Sequence, residues 1–193
     1  MNIVIISGSN RESSGSSRVA KYIENYAQQT ENSAVLVDLH DHALPLWTEE
    51  LWNSGSAQFE NWQQYKNQLI SADALVLVAA EWNGTVPPSL HNFIMHVGSE
   101  VAHKPVLLVS VSAGIGGTYP IAELKAFANK NNRMVFIPDH VIVRNVNEDF
   151  DSGDHAVGPR LKESVEELVV YAKHMKSMRE EITFDYKKYK NGM

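Results

Sequence analysis

Apolar positions along this 193-residue chain alternate between two patterns, consecutive runs and recurrences every third or fourth residue. Residues 2–7 carry the β-branched run Ile3-Val4-Ile5-Ile6 and read as a strand. A helix follows over roughly 17–29, with Val19, Ile23, Tyr26 and Ala27 on one face. Val35-Leu36-Val37 is a second strand, and residues 40–56, with Pro45, Trp47 and Gly55, form an irregular connection. Helical spacing returns at about 57–70 through Phe59, Trp62, Tyr65 (or Lys66) and Leu69. Residues 74–79 are apolar without interruption, which predicts a strand buried on both faces. Pro87-Pro88 opens a third helix over 90–96, and Pro105 starts a fourth strand over 106–111. A fourth helix spans about 119–130. Residues 134–136 and 141–143 are short extended pieces on either side of Pro138, and 145–158 read as a loop with Gly153 and Gly158 as turn residues. The last helix begins near Pro159 and is strongly periodic, through Leu161, Val165, Leu168, Val169, Ala172 and Met175. From Glu180 onward the chain is polar and aromatic and reads as loose, so residues 1–180 are expected to form one domain and 181–193 a tail.

Strand–helix alternation with both-face-buried strands implies a doubly wound α/β sheet with helices on both faces. Ligands of such sheets bind beyond the carboxyl ends of the strands. Three loops leave strands in that direction, and each has unusual composition. After the first strand comes Ser7-Gly8-Ser9-Asn10-Arg11-Glu12-Ser13-Ser14-Gly15-Ser16-Ser17. It lacks the lysine of a Walker A loop and the G-x-G-x-x-G of a dinucleotide site. Ser9, Ser14 and Ser16 can donate to phosphate oxygens, Arg11 adds a charged fork, and the helix end adds its positive pole. Each hydrogen bond to a charged group contributes about 1.5–3 kcal/mol. The plainer reading is a serine loop in which Ser16 or Ser17 caps the helix. The second loop, residues 80–88, holds an Asn-Gly turn signal and Trp82, an aromatic that covers a flat ring, packs on its own domain or meets a partner subunit. The third, Ser112-Ala113-Gly114-Ile115-Gly116-Gly117, has little side chain and lets a ligand approach the backbone closely. Phosphate at one end, an aromatic wall and bare backbone at the other suit a phosphorylated planar ring.

Composition narrows the classes. A net charge of −6 argues against non-specific nucleic-acid binding and offers no attraction to anionic lipid. There is no cysteine, which excludes disulfides and thiol chemistry and fits a reducing, cytoplasmic compartment. No basic leader precedes the first strand, and the apolar run at 74–80 is far too short to span a bilayer. His91 and His96 are five apart, which splits them across a helix, and no H-E-x-x-H pattern exists, so no metal site is expected.

Taken in order, these loops resemble the NADPH-dependent FMN reductase family. Residues 8–16 match its G-S-x-R-x-x-S-x-S position by position. Ala80-Glu81-Trp82-Asn83-Gly84-Thr85-Val86-Pro87 is similar to its P-E-Y-N-G-x-x-P, residues 112–117 to its serine-glycine loop, and Leu44-Pro45-Leu46-Trp47 to its loop after the second strand. The resemblance implies a flavodoxin-like fold with a five-stranded parallel sheet. It implies FMN phosphate held by Ser9, Arg11, Ser14, Gly15 and Ser16. It implies a flavin ring against Ala80, Glu81, Trp82, Asn83 and Gly84, with Ser112, Gly114 and Gly117 at its pyrimidine end. It also implies an NAD(P)H oxidoreductase, with NADPH or NADH as co-substrate and a quinone, azo compound, flavin or metal ion as acceptor, in a homodimer or homotetramer. No protein acid or base is required. Ala80 and Trp82 replace the family's proline and tyrosine, while Pro88, His91 and Met95 stand where it usually has glycine, lysine and aspartate. These departures bear on nearby packing, the subunit interface and substrate preference, and leave the phosphate loop untouched. The other readings are a flavodoxin-like electron carrier and a non-catalytic binding protein of the same fold.

Overall fold

The computed structural model describes every residue except 149, 151–154, 187 and 189–193. Five strands, β1 (Asn2–Ser7), β2 (Ser33–Asp38), β3 (Ala74–Ala80), β4 (Pro105–Val111) and β5 (Val135–Val143), form one sheet. Its order is β2-β1-β3-β4-β5 and every pairing is parallel. Five helices connect and follow them: α1 (Gly15–Gln29), α2 (Ala57–Ser71), α3 (Pro88–His96), α4 (Thr118–Phe127) and α5 (Gly158–Glu181).

Burial explains the consecutive apolar runs. One face of the sheet packs Ile3, Ile5, Val76, Val78, Leu107 and Val109 against α1 and α5. The other packs Val4, Ile6, Leu75, Leu77, Val106 and Leu108 against α2, α3 and α4. Central strands are therefore apolar on both sides, while the edge strands β2 and β5 mix buried with exposed positions. Burying one such Leu, Ile or Val side chain contributes about 1.5–3 kcal/mol.

Three expectations change. The pieces around Pro138 are one strand, β5, whose register against β4 slips between Val106 and Leu108. A bulge at this edge strand takes up the proline, which has no N–H to donate, and leaves it exposed. Asp139 in the bulge accepts hydrogen bonds from Arg160 and Ser164 of α5, which ties the irregularity to the helix. Gly158, expected as a turn residue, begins α5, while Gly153 lies outside the described residues. Finally, α5 runs on to Glu181, and beyond it Phe184 stacks on His103 with ring centroids 4.1 Å apart. The start of the expected loose tail is therefore helical, and Phe184 and Tyr186 within it are packed.

The end of the sheet opposite the strands' carboxyl ends holds a buried lysine. Lys104, just before β4, is only 6% exposed, and its Nζ donates to the carbonyls of Leu69 (2.6 Å) and Ile70 (2.8 Å) in the last turn of α2. A cation at that helix end meets the negative pole and the carbonyls the helix leaves unpaired. Burial, aided by the Arg179 charge and opposed by Asp73 and Glu100, lowers its pKa from 10.5 to about 8. Between those two values the unfolded chain binds the extra proton, so this group makes stability rise with pH across that window. Lys104→Met is expected to lack that contribution. In denaturant titrations, the wild type's advantage over Lys104→Met should widen from pH 8 to pH 10.

Candidate functional site

With all strands parallel, the loops after β1, β3, β4 and β5 meet at one edge. The first turns into α1 through Ser13, whose φ is +50°, and Ser14, an extended residue whose Oγ accepts the N–H of Ser17 at 3.1 Å. Ser14 is thus the N-cap, in place of the expected Ser16 or Ser17, and the helix starts two residues earlier than its apolar pattern indicates. The reason is local: a serine in extended conformation before a helix satisfies one of the first-turn amides. Upstream, Ser9 Oγ accepts the N–H of Arg11 at 3.2 Å.

Beside this helix end lies an open, mostly polar cleft. Ser9, Arg11, Ser14, Gly15, Ser16, Ala80, Glu81 and Trp82, all named as site candidates from the sequence, line it. So do Ser13, Val111, Ala113, Val146 and Asn147, which sequence reasoning missed. The last two follow β5, whose continuity the proline concealed. They are tethered to α1, since Arg18 donates to the Val146 carbonyl (3.2 Å) and to Asn147 Oδ1 (3.0 Å). Gly15 is needed here because a Cβ on it would stand 2.8 Å from Val146.

Polar groups in the cleft point to an anion. Ser16 is 1% exposed, and its Oγ has no hydrogen-bond partner. Leaving such a hydroxyl unpaired costs about 1–3 kcal/mol, which an incoming acceptor oxygen removes. The Gly15 and Ser16 amides make no hydrogen bond among the described residues and add donors at the positive pole of the helix. Arg11 is exposed at the lip, and its side chain makes no ion pair among the described residues. A phosphate ester suits this donor set, so the residues present fit the phosphate end of FMN. A neighbouring hollow lined by Asn10, Leu39, Ala43, Leu44, Leu46, Pro88, Ser89 and Asn92 also meets a helix start, that of α3, but carries no charged side chain, and its first helical residue is a proline with no N–H to offer.

The other expected residues shape the rim without lining the cleft. Asn83 and Gly84 have φ of +49° and +71° and form a two-residue turn closed by the Trp82–Thr85 bridge. Positive φ at both central residues is the Asn-Gly hairpin geometry, and it sets Trp82 at the cleft wall. Ser112 Oγ and the Gly117 N–H both bond the Glu81 carboxylate, at 3.3 and 2.8 Å. Gly114 donates its N–H to Ser112 Oγ at 3.3 Å. Asn92, not singled out by the sequence, holds the 44–47 loop on α3. Its Oδ1 accepts the Trp47 N–H (2.9 Å) and its Nδ2 donates to the Pro45 carbonyl (2.9 Å). His96 is buried, its Nδ1 2.8 Å from the Asn92 carbonyl, and burial lowers its pKa. His91 stacks on Phe127 instead.

Residues 1–148 match the family model described as NADPH-dependent FMN reductase. The chain belongs to that family. A quinone reductase of Pseudomonas putida is 32% identical over 123 residues, which span 60% of this chain and 63% of that protein. The chain thus matches less than two thirds of the length of this curated relative. Among solved structures, FerB, a flavoenzyme NAD(P)H:(acceptor) oxidoreductase of Paracoccus denitrificans, superposes with a TM-score of 0.70 at 18% identity, covering 91% of this chain and 97% of its own. The azoreductase AzrA gives 0.55 at 18% identity, covering 92% and 100%. At these identities the structural likeness establishes the flavodoxin-like fold. Among the described residues no helix is long and apolar enough to cross a membrane.

The two serines at the helix start predict opposite behaviour in the flavin-free protein. Ser14→Ala removes the N-cap and should cost about 1 kcal/mol of stability in urea unfolding. Ser16→Ala removes a buried hydroxyl with no partner and should raise stability, by up to about 1–3 kcal/mol in the same measurement.

Proposed function

We propose that the cleft binds FMN and that the protein is an NAD(P)H-dependent oxidoreductase acting on a small-molecule acceptor such as a quinone, an azo compound, a flavin or an oxidised metal ion. The observation that carries this reading is the buried, unpartnered Ser16 hydroxyl in a cleft at the N-terminus of α1, in a chain of the FMN reductase family. Bound FMN would supply the redox chemistry, accepting hydride from NADPH or NADH and releasing electrons to the acceptor.

The chain's own residues bind and orient. Ser9, Ser14 and Ser16 surround the phosphate volume with hydroxyls, and Arg11 adds a charge-assisted contact at the lip. The Ser14 hydroxyl hydrogen stays free to donate while its oxygen caps the helix. Ala80, Glu81 and Trp82 bring the end of β3 to the ring volume, and Asn83 and Gly84 hold the turn that places them. Ser112, Gly114 and Gly117 support the rim from the β4 side. No side chain is assigned as acid or base.

In this reading residues 1–180 are one FMN-binding domain, 181–193 are a tail, and the enzyme works in the cytoplasm as a homodimer or homotetramer. The sequence 82–98 supports self-association, because it contains no Asp, Glu, Lys or Arg in a chain of net charge −6. Met95 of α3 and Leu46 beside it are 51% and 78% exposed, and Glu123 is the one charged side chain lining the hollow they share.

Adding FMN to the purified protein is expected to give a saturable flavin spectrum shift, and steady NADPH or NADH consumption with a quinone acceptor. Protein that leaves the flavin spectrum unchanged would sink the reading. Arg11→Ala is expected to weaken FMN at least tenfold, about 1.4 kcal/mol, in a fluorescence titration; unchanged affinity would remove Arg11 from the site.

A further inference from the structure

On the β4 side, one peptide group of the rim is held at both polar ends. The carbonyl of Gly116 accepts the Nε–H of Arg144 at 3.0 Å, and the N–H of Gly117 donates to Glu81 Oε2 at 2.8 Å. Both belong to one planar unit, so the two bonds leave it in opposite directions and oppose its rotation. Ser112 Oγ steadies the same carboxylate oxygen at 3.3 Å. Glu81 follows β3 and Arg144 follows β5, so the arrangement joins the loops after three neighbouring strands.

The two glycines are matched to it. A Cβ on Gly116 would lie 1.9 Å from Glu81 Oε2, in the space the carboxylate occupies. Gly117 has φ of +99°, and a Cβ there would lie 2.4 Å from Ile142 Cγ2. Glu81 and Arg144 form no ion pair with each other among the described residues; the peptide stands between them. Because its N–H is committed to Glu81, Gly117 is closed to a ligand. The amides of Ile115 and Gly116 make no hydrogen bond among the described residues and remain open.

We infer that Glu81 and Arg144 are positioning residues that jointly lock the Gly116–Gly117 peptide and so determine which backbone groups the rim presents to the ligand. The lock is a property of the flavin-free fold; its consequence for flavin rests on the function proposed above. Glu81 therefore acts on the cleft through the glycine loop as well as by lining it, and Arg144 acts through the loop alone, without lining the cleft.

The lock is tested by amide hydrogen exchange at Gly117 in flavin-free protein. Glu81→Ala is expected to speed exchange at least tenfold. Arg144→Ala, which leaves the N–H contact itself in place, is expected to speed it severalfold by freeing the other end. Glu81→Gln keeps an acceptor oxygen and should restore near wild-type exchange. Gly116→Ala, whose methyl displaces the carboxylate, should reproduce Glu81→Ala. Unchanged exchange in Arg144→Ala, or no rescue by Glu81→Gln, would overturn the inference. In a parallel titration, Glu81→Ala should raise the FMN dissociation constant at least tenfold, with recovery in Glu81→Gln. Wild type that takes up no FMN would refute the proposed function and leave the exchange result to decide the lock.

Discussion

A parallel sheet covered by helices on both faces can offer its backbone to a ligand only at the ends of its strands. Here β1 and β3 lie side by side, yet the chain leaves them in opposite directions across the sheet, and a crevice opens between the departing loops. The first of those loops ends on a helix N-terminus, which the fold satisfies only in part, through the Ser14 cap. Nearly every feature of the site follows from that deficit of acceptors: the serines, the exposed arginine, the positive pole of α1 and the hydroxyl of Ser16 that nothing in the protein receives.

The same accounting separates binding groups from supporting ones. Ser14 and Glu81 both look like ligand contacts by position. Ser14 Oγ already accepts an amide of its own helix, and the Glu81 carboxylate already accepts an amide and a hydroxyl of the neighbouring loop. A polar side chain with its main acceptor occupied shapes the site before it touches a ligand. Asn92 works in this way at a distance, fastening the 44–47 loop to α3 through two backbone contacts at 2.9 Å. Rigid surroundings of this kind reduce the ordering that a ligand must otherwise impose.

Much of the fold was legible in the pattern. The run at 74–79 could only be a strand buried on both faces, and the stripe from Leu161 to Ala172 could only be a helix against that sheet. The place of the loop after β1, between a strand and a helix, was legible too, and its composition is what the proposed anion site rests on. Less was legible near β5. Pro138 breaks the hydrogen-bond ladder locally, so the pattern shows two fragments, and only the neighbouring β4 and the Asp139 contacts to α5 make them one strand. Val146 and Asn147 were missed for the same cause, since their place in the cleft depends on where that strand ends.

By itself the sequence determined the periods of burial, the order of the elements and the chemistry available in each loop, because these depend on neighbours within a few residues. Only the tertiary structure decided which loops share a wall, which polar atoms are already paired and which are left open. Glu81 and Arg144 are 63 positions apart, and nothing near either one records that they grip the two ends of a single peptide. Such pairings arise from the order of strands across the sheet, which brings together residues that no local propensity relates.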